Sequence, residues 1–192
     1  VMIIVMNAVL QRYGGPEQGD MLLTCATIVQ SFMLIITMPL SGITTGTQTI
    51  LGYNLGARKP ERIIRAEKNI VFLCLVFTTI MFVIAHTVPE YFVRIFTRDE
   101  EYVRVTVDAI RVYTLGVIPL AVQYTIVDGF TGMGKVQLAL PLSAFRKAVY
   151  FIALFALPAA FGARAAFYAE PISDIAGPVV SIAVYALCIR RI

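Results

Sequence analysis

The feature that most constrains this chain is the alternation of long uncharged runs with short charged turns. No charged residue occurs between Asp20 and Arg58, and none occurs between Lys68 and Glu90. About twenty apolar residues in a helix are enough to cross the hydrocarbon core of a bilayer. Both runs reach that length, so the sequence predicts a bundle of membrane-spanning helices.

Composition supports the same class and excludes others. Hydrophobic residues make up 58% of the 192 positions and charged residues only 15%, which is too little polar surface for a soluble domain. The net charge of +4 does not indicate nucleic-acid binding, because the basic residues lie between apolar runs rather than along one face. Nothing around the single histidine, His86, completes a metal site or a catalytic triad, so we expect no metal, no cofactor and no enzyme.

Six apolar helices are predicted, and the fold class is an all-α polytopic membrane bundle. Their approximate ranges are 1–12, 21–51, 60–87, 100–132, 136–157 and 170–189. The first is too short to cross a bilayer and starts inside an apolar run, so we expect an upstream part to be missing. The segment 89–104 is predicted to be an amphipathic linker at the outer membrane surface.

The charged turns predict the orientation. Basic residues concentrate at one end of the bundle if the helices alternate in direction: Arg58, Lys59, Arg62, Arg65, Lys68, Lys135, Arg190 and Arg191. Positive charge collects on the cytoplasmic side of membrane proteins. We therefore expect a multi-pass protein of the plasma membrane, in a bacterium the inner membrane, with a cytoplasmic C-terminus.

Polar side chains at membrane depth are the candidates for function, because they are costly in lipid and usually face a protein interior or a water-filled cavity. Arg146 lies eleven residues after Lys135, or roughly 16 Å along a helix, near the bilayer centre. It either lines a cavity or ties two helices together. Asn7 and Gln123 either contact a ligand or bond neighbouring helices, and Tyr150 completes this group of cavity candidates.

Three acids are candidate gates or helix-end charges. Asp128 lies in the glycine-rich sequence DGFTGMGK, where it either acts as a proton-linked gate or pairs with Lys135. Glu170 and Asp174 share one helix face, and acids near a helix start are also favoured by the helix dipole. The alternatives of a functional and a purely structural acid stay open for all three.

The hairpin between the second and third helices carries a specific pattern. The motif G-x-x-x-G-x-Q comes first, the motif G-Y-N-x-G-A follows it, and the basic turn comes after both. The residues of the two motifs are Gly42, Gly46, Gln48, Gly52, Tyr53, Asn54, Gly56 and Ala57. We expect these glycines to pack closely against neighbouring helices. With Gln123, the turn 132–135 and Arg146, the pattern resembles the multidrug and toxic compound extrusion (MATE) family.

The resemblance implies an antiporter of twelve helices in two six-helix lobes, which exports amphipathic cationic drugs by alternating access, coupled to Na⁺ or H⁺. Residues 1–192 would be its C-terminal lobe, from a truncated helix seven to helix twelve, embedded in lipid and partnered by the absent N-terminal lobe. Where sodium-coupled members carry two acids, this chain has Asn7 near the first position and Leu120 at the second. A lipid-linked oligosaccharide flippase of the same superfamily and a non-transporting membrane partner remain alternatives.

Overall fold

The computed structural model describes residues 2–188, apart from the side chains at positions 16 and 17, and almost all of these residues are helical. The helices are α1 (Met2–Gly56), α2 (Pro60–Thr87), α3 (Pro89–Val93), α4 (Glu100–Tyr113), α5 (Val117–Gly132), α6 (Val136–Phe161) and α7 (Ala169–Cys188), with a 3₁₀ turn at Ala163–Tyr168. The described residues contain no strand. The fold class is confirmed, while the predicted end of the last helix at residue 189 and the basic residues 190 and 191 lie outside the described range.

Helix α1 consists of two arms that meet at Gly15. This glycine has φ 64° and ψ −172°, a conformation that side chains with a Cβ rarely adopt. Gly14 approaches Gly19 so closely that a Cβ on Gly14 would lie 3.0 Å from the Gly19 Cα. The break therefore falls inside the predicted turn, and the short arm, residues 2–14, packs along the long arm, Gln18–Gly56.

Four helical segments are long and apolar enough to cross a membrane: Gln18–Gly56, Pro60–Thr87, Val136–Phe161 and Ala163–Cys188. The long arm of α1 has 39 residues, or about 58 Å of helix, against roughly 30 Å of hydrocarbon. It therefore extends beyond the membrane unless it is strongly tilted. Helices α4 and α5, which meet at an angle of 47°, are together long and apolar enough for a fifth crossing if they count as one span.

The bend corrects the prediction of one continuous helix over residues 100–132. A Cβ on Gly116 would lie 2.6 Å from the Asp174 Cβ and 3.1 Å from the Pro171 Cα, so α7 approaches the chain at this glycine. Pro119 has no amide hydrogen, which leaves the Leu115 carbonyl without its usual helical donor. Helix continuity is lost at a point where α7 packs closely against the chain.

The linker between α2 and α4 exposes apolar residues, as expected for the predicted amphipathic segment. Tyr91 and Ile95 are more than three-quarters exposed. Asp99 caps α4 by accepting hydrogen bonds from the amides of Glu101 and Tyr102, and Arg94 pairs with both Glu90 and Glu100. The ion pairs order the linker, and its exposed aromatic side suits a membrane surface.

The buried apolar side chains form two clusters along the bundle. One includes Ile36, Val117 and Tyr150. The other includes Leu40 and Leu142 and lies toward the turns that join α1 to α2 and α5 to α6, which we call the basic end. Arg146 falls between Leu142 and Tyr150 on α6, so the bundle changes from one apolar cluster to the other at the level of a buried cation.

Candidate functional site

A buried ion cluster joins α6 to α7. The Nη1 atom of Arg146 lies 2.8 Å from Oδ1 of Asp174 and 3.7 Å from Oε1 of Glu170. Asp174 is fully buried and Glu170 is 9% exposed. The two acids meet the same guanidinium because they lie four residues apart, on one face of α7.

This arrangement bears on the alternatives left open for Arg146 and the two acids. Asp174 lies one turn beyond the start of α7 and holds Arg146 directly, so it is more than a charge that favours the helix dipole. Arg146 does tie two helices together, and it also lines a cavity. Ionised groups at this depth are retained where they are paired and hydrogen-bonded, and each partner here supplies the charge that the other needs.

A cavity of about 430 Å³ opens beside the cluster. Its polar lining includes Arg146, Lys147, Glu170 and the tyrosines 113, 124 and 150, and α1 contributes apolar residues such as Met33 and Leu34. Pockets of this size hold drug-sized ligands. Tyrosine faces and a carboxylate are groups that favour an organic cation.

Within the cavity, Glu170 is the acid available to a ligand. Its Oε2 atom accepts a hydrogen bond of 3.2 Å from the Tyr113 hydroxyl, and its Oε1 atom is only loosely paired with Arg146. Asp174 forms the shorter pair with Arg146 and does not line the cavity. The two carboxylates therefore differ in role: Asp174 fixes the guanidinium, and Glu170 faces the space where a ligand fits.

The four predicted cavity residues separate in the structure. Arg146 and Tyr150 line the larger cavity, whereas Gln123 lines a smaller one of about 230 Å³ on the other side of Arg146. Gln123 is 2% exposed, and its Nε2 atom donates to the Leu142 carbonyl at 3.4 Å, which is an inter-helix bond. Asn7 lines neither cavity, and its buried Oδ1 atom has no hydrogen-bond partner among the described residues.

Asp128 has different partners from those the sequence suggested. Its carboxylate accepts a hydrogen bond from the Thr44 hydroxyl and another, of 3.2 Å, from Nε2 of Gln48. Of the ion pairs formed by the described residues, none involves Asp128, so the expected pair with Lys135 is wrong. The Gln of the α1 pattern instead fastens α1 to α5 near the basic end.

The glycines of the α1 pattern do not share one role. A Cβ on Gly52 would lie 2.8 Å from the Gly132 carbonyl oxygen, and a Cβ on Gly132 would lie 2.7 Å from the Gln48 Cα. Gly42, Gly46 and Gly56 have no described neighbour that a Cβ would meet. Close packing of α1 on α5 thus depends on Gly52, and the expectation of close packing at the other three glycines is not met within the described residues.

Sequence reasoning missed one buried acid, Glu67 on α2. It is 5% exposed, and Oε2 accepts a hydrogen bond from the Tyr185 hydroxyl of α7. Its position among basic residues at the helix start resembles a solvated surface. The spacing from Ile63 through Glu67 to Ile70 and Cys74 does, however, follow one helix face, and all four are buried.

The fold and the site together define a multi-pass membrane protein with a cavity that carries charged and tyrosine side chains. The MatE family model matches residues 1–157. Since that range covers most of the sequence, the chain belongs to the MatE family, and the resemblance noted in the sequence is confirmed.

Solved structures that match this fold include multidrug transporters. A multidrug resistance MATE family transporter of the MOP superfamily matches in its outward-facing conformation, with TM-score 0.87, 16% identity and coverage of 98% of this chain and 42% of its own. An inward-facing conformation matches with TM-score 0.84, 16% identity and coverage of 97% and 43%. The MATE multidrug transporter DinF-BH, solved as a complex, matches with TM-score 0.82, 27% identity and coverage of 97% and 41%.

The chain therefore spans about two fifths of the length of these solved transporters. No curated protein matches it.

Proposed function

We propose that the full-length protein exports amphipathic organic cations by secondary antiport, with Na⁺ or H⁺ as the coupling ion. Residues 1–192 would form its C-terminal lobe, which meets an N-terminal lobe across the cavity. The observation that carries this proposal is the cavity of about 430 Å³ beside the ion cluster, lined by Glu170 and three tyrosines, which we call the central cavity. Family membership supports transport as the general activity.

The chemistry of the cluster suggests how a cation would be held and released. A ligand cation approaching Glu170 competes with Arg146, whose contact with Oε1 is already long at 3.7 Å. Arg146 keeps its shorter bond to Asp174 meanwhile, so no charge is left unpaired inside the membrane. A coupling ion that binds or protonates Glu170 would in turn displace the drug, because one carboxylate serves both cations.

Alternating access would supply the movement. A MATE family transporter has been solved in outward-facing and inward-facing conformations, and two lobes that rock about a central site are a general design for transporters with repeated halves. By this proposal the ion cluster moves as a unit with its lobe, since it ties α6 to α7. The bacterial inner membrane and a cytoplasmic C-terminus remain part of the same proposal.

The charges that line the cavity make the two alternative functions, a flippase and a non-transporting partner, weaker candidates. A lipid-pyrophosphate flippase needs a cavity with surplus positive charge, yet Arg146 is paired with two carboxylates. Among the described residues, Lys147 is the other cation that lines the cavity. A non-transporting partner protein would have no use for a charged cavity at this depth.

Proteoliposomes of the full-length protein would test the proposal. We expect ethidium to move against its gradient when a Na⁺ or H⁺ gradient is imposed, and to stop when that gradient is collapsed. Movement of a lipid-linked pyrophosphate without ethidium transport would favour the flippase instead. No movement of either compound would favour the non-transporting partner.

A further inference from the structure

A third cavity lies on the opposite side of α5 from the central cavity, between α2, α5 and α7. It has a volume of about 560 Å³ and a largely apolar lining that includes Phe72, Leu75, Val122 and Ile182. Its polar lining consists of Glu67, Lys68, Thr125 and Tyr185. We call it the lateral groove, and its volume also lies in the range of drug-sized ligand pockets.

The groove and the central cavity are separate, because opposite faces of α5 line them. Leu120 and Tyr124 line the central cavity, whereas Val122 and Ile126 line the groove. At about 100° per residue, two positions along a helix correspond to roughly half a turn around its axis. The groove also has exposed walls, since Phe72 is 71% and Ile182 is 49% exposed, and the spanning segments of α2 and α7 have mostly unburied surfaces.

Glu67 has an incompletely satisfied carboxylate in this groove. Tyr185 donates to Oε2, but Oε1 is buried and has no hydrogen-bond partner among the described residues. Gly129 makes room for that oxygen, because a Cβ there would lie 2.8 Å from it. The ion pairs formed by the described residues do not include Glu67, and a buried acceptor without a donor is costly.

We infer that the lateral groove binds an amphipathic organic cation that enters from the lipid, with its charge at Glu67 and its apolar body along α2 and α7. The buried Glu67 carboxylate attracts a cation, whereas Lys68 in the same lining is exposed, so water screens its charge. The aromatic rings of Phe72 and Tyr185 add cation–π attraction. The apolar walls exclude small hydrated ions in favour of a ligand with a hydrophobic body. The lateral groove would bind the same class of ligand as the proposed transporter exports, but the proposed function does not require this additional site.

A photoactivatable triphenylphosphonium cation, applied to the full-length protein in nanodiscs, would test the site. Peptide mass spectrometry would locate the adducts, and the neutral phosphine oxide of the same shape would serve as the control ligand. We expect the cation to label residues around Phe72 and Ile182. Glu67→Gln should lower that labelling about tenfold, because the charged partner is lost, and the neutral ligand should label both proteins weakly and equally.

Two further variants separate binding from structure. Tyr185→Phe removes the hydroxyl that donates to Glu67 but keeps the carboxylate and an aromatic ring, so labelling should fall less than in Glu67→Gln. Ile182→Phe fills the groove from its exposed wall and should lower labelling even if Glu67→Gln fails to fold. Equal labelling of the wild type and Glu67→Gln, or equal losses in Glu67→Gln and Tyr185→Phe, would overturn the inference.

Ethidium transport by the same proteins keeps the two proposals apart. If wild-type protein moves ethidium but its groove is not labelled in a Glu67-dependent way, the lateral site is wrong and the proposed function stands. If the groove is labelled as expected but no ethidium moves, the proposed function is wrong and the lateral site stands.

Discussion

Arg146 and Asp174 form a direct ion pair of 2.8 Å between α6 and α7, with the carboxylate fully buried. Glu170 lies farther from the same guanidinium, at 3.7 Å, and faces the cavity. The cluster thus combines one tight pair that holds the helices with one loose pair that, by the proposed function, a ligand replaces. This difference in distance is the basis of the predictions for the two acids.

Removal of one partner from the tight pair should destabilise the bundle. Arg146→Ala leaves Asp174 buried without its cation, and breaking a buried pair in this way costs about 3–5 kcal/mol. We expect Arg146→Ala and Asp174→Ala each to lower the melting temperature in detergent, and the double variant to lose much less than the sum of the two. Additive losses would show that the two side chains are not coupled.

Arg146→Ala should also reduce transport. We expect less ethidium efflux with membrane insertion preserved, measured by protease protection of the full-length protein in the membrane. Arg146→Lys keeps a charge but loses the planar group that reaches both acids, so it should fall between the wild type and alanine. Normal efflux by Arg146→Ala would assign the residue a purely structural role.

The glycines of the α1 pattern should differ in their tolerance of alanine. Gly52→Ala places a Cβ against the Gly132 carbonyl oxygen, so α1 and α5 have to separate and the protein should lose about 1–3 kcal/mol of stability. Gly46→Ala meets no described neighbour and should be neutral or slightly stabilising in a helix. Fluorescence-detected size exclusion after heating would measure both, and equal behaviour of the two variants would contradict the packing described.

Asp128 should stabilise the basic end through its two α1 donors. Thr44→Val and Gln48→Leu each remove one hydrogen bond to a carboxylate, worth about 1.5–3 kcal/mol when the acceptor is charged. Thr45→Val is the matched control, because Thr45 is exposed. We expect lower melting temperatures for the first two variants and no change for the control, whereas a loss at Thr45 alone would contradict the assignment.

Much of the fold was predictable because uncharged runs long enough to span a bilayer allow few alternatives to helices. The second full helix begins and ends where the sequence indicated, at Pro60 and Thr87. The bend before α5 was not predictable, since it depends on contact between Gly116 and α7, more than fifty residues later in the chain. Local pattern contains no information about that approach.

The site was predictable in its members but not in its pairing. Arg146, Glu170 and Asp174 were all candidates, because ionisable groups between apolar runs are unusual. These three side chains come together because α6 packs against α7, and the spacing of residues within either helix does not reveal that contact. Glu67 was missed because neighbouring basic residues suggested a solvated helix end, although its spacing from Ile63 already placed it on the buried face of α2.

The most direct test of the account is gradient-driven ethidium efflux by the full-length Glu170→Gln protein in proteoliposomes, next to Glu101→Gln as an exposed-acid control. We predict that Glu170→Gln loses at least about tenfold in efflux rate, since it removes the charge that holds the cation, while Glu101→Gln keeps the wild-type rate. The melting temperature of Glu170→Gln should fall less than that of Asp174→Ala. Wild-type efflux by Glu170→Gln would contradict the claim that this cavity acid binds the transported cation.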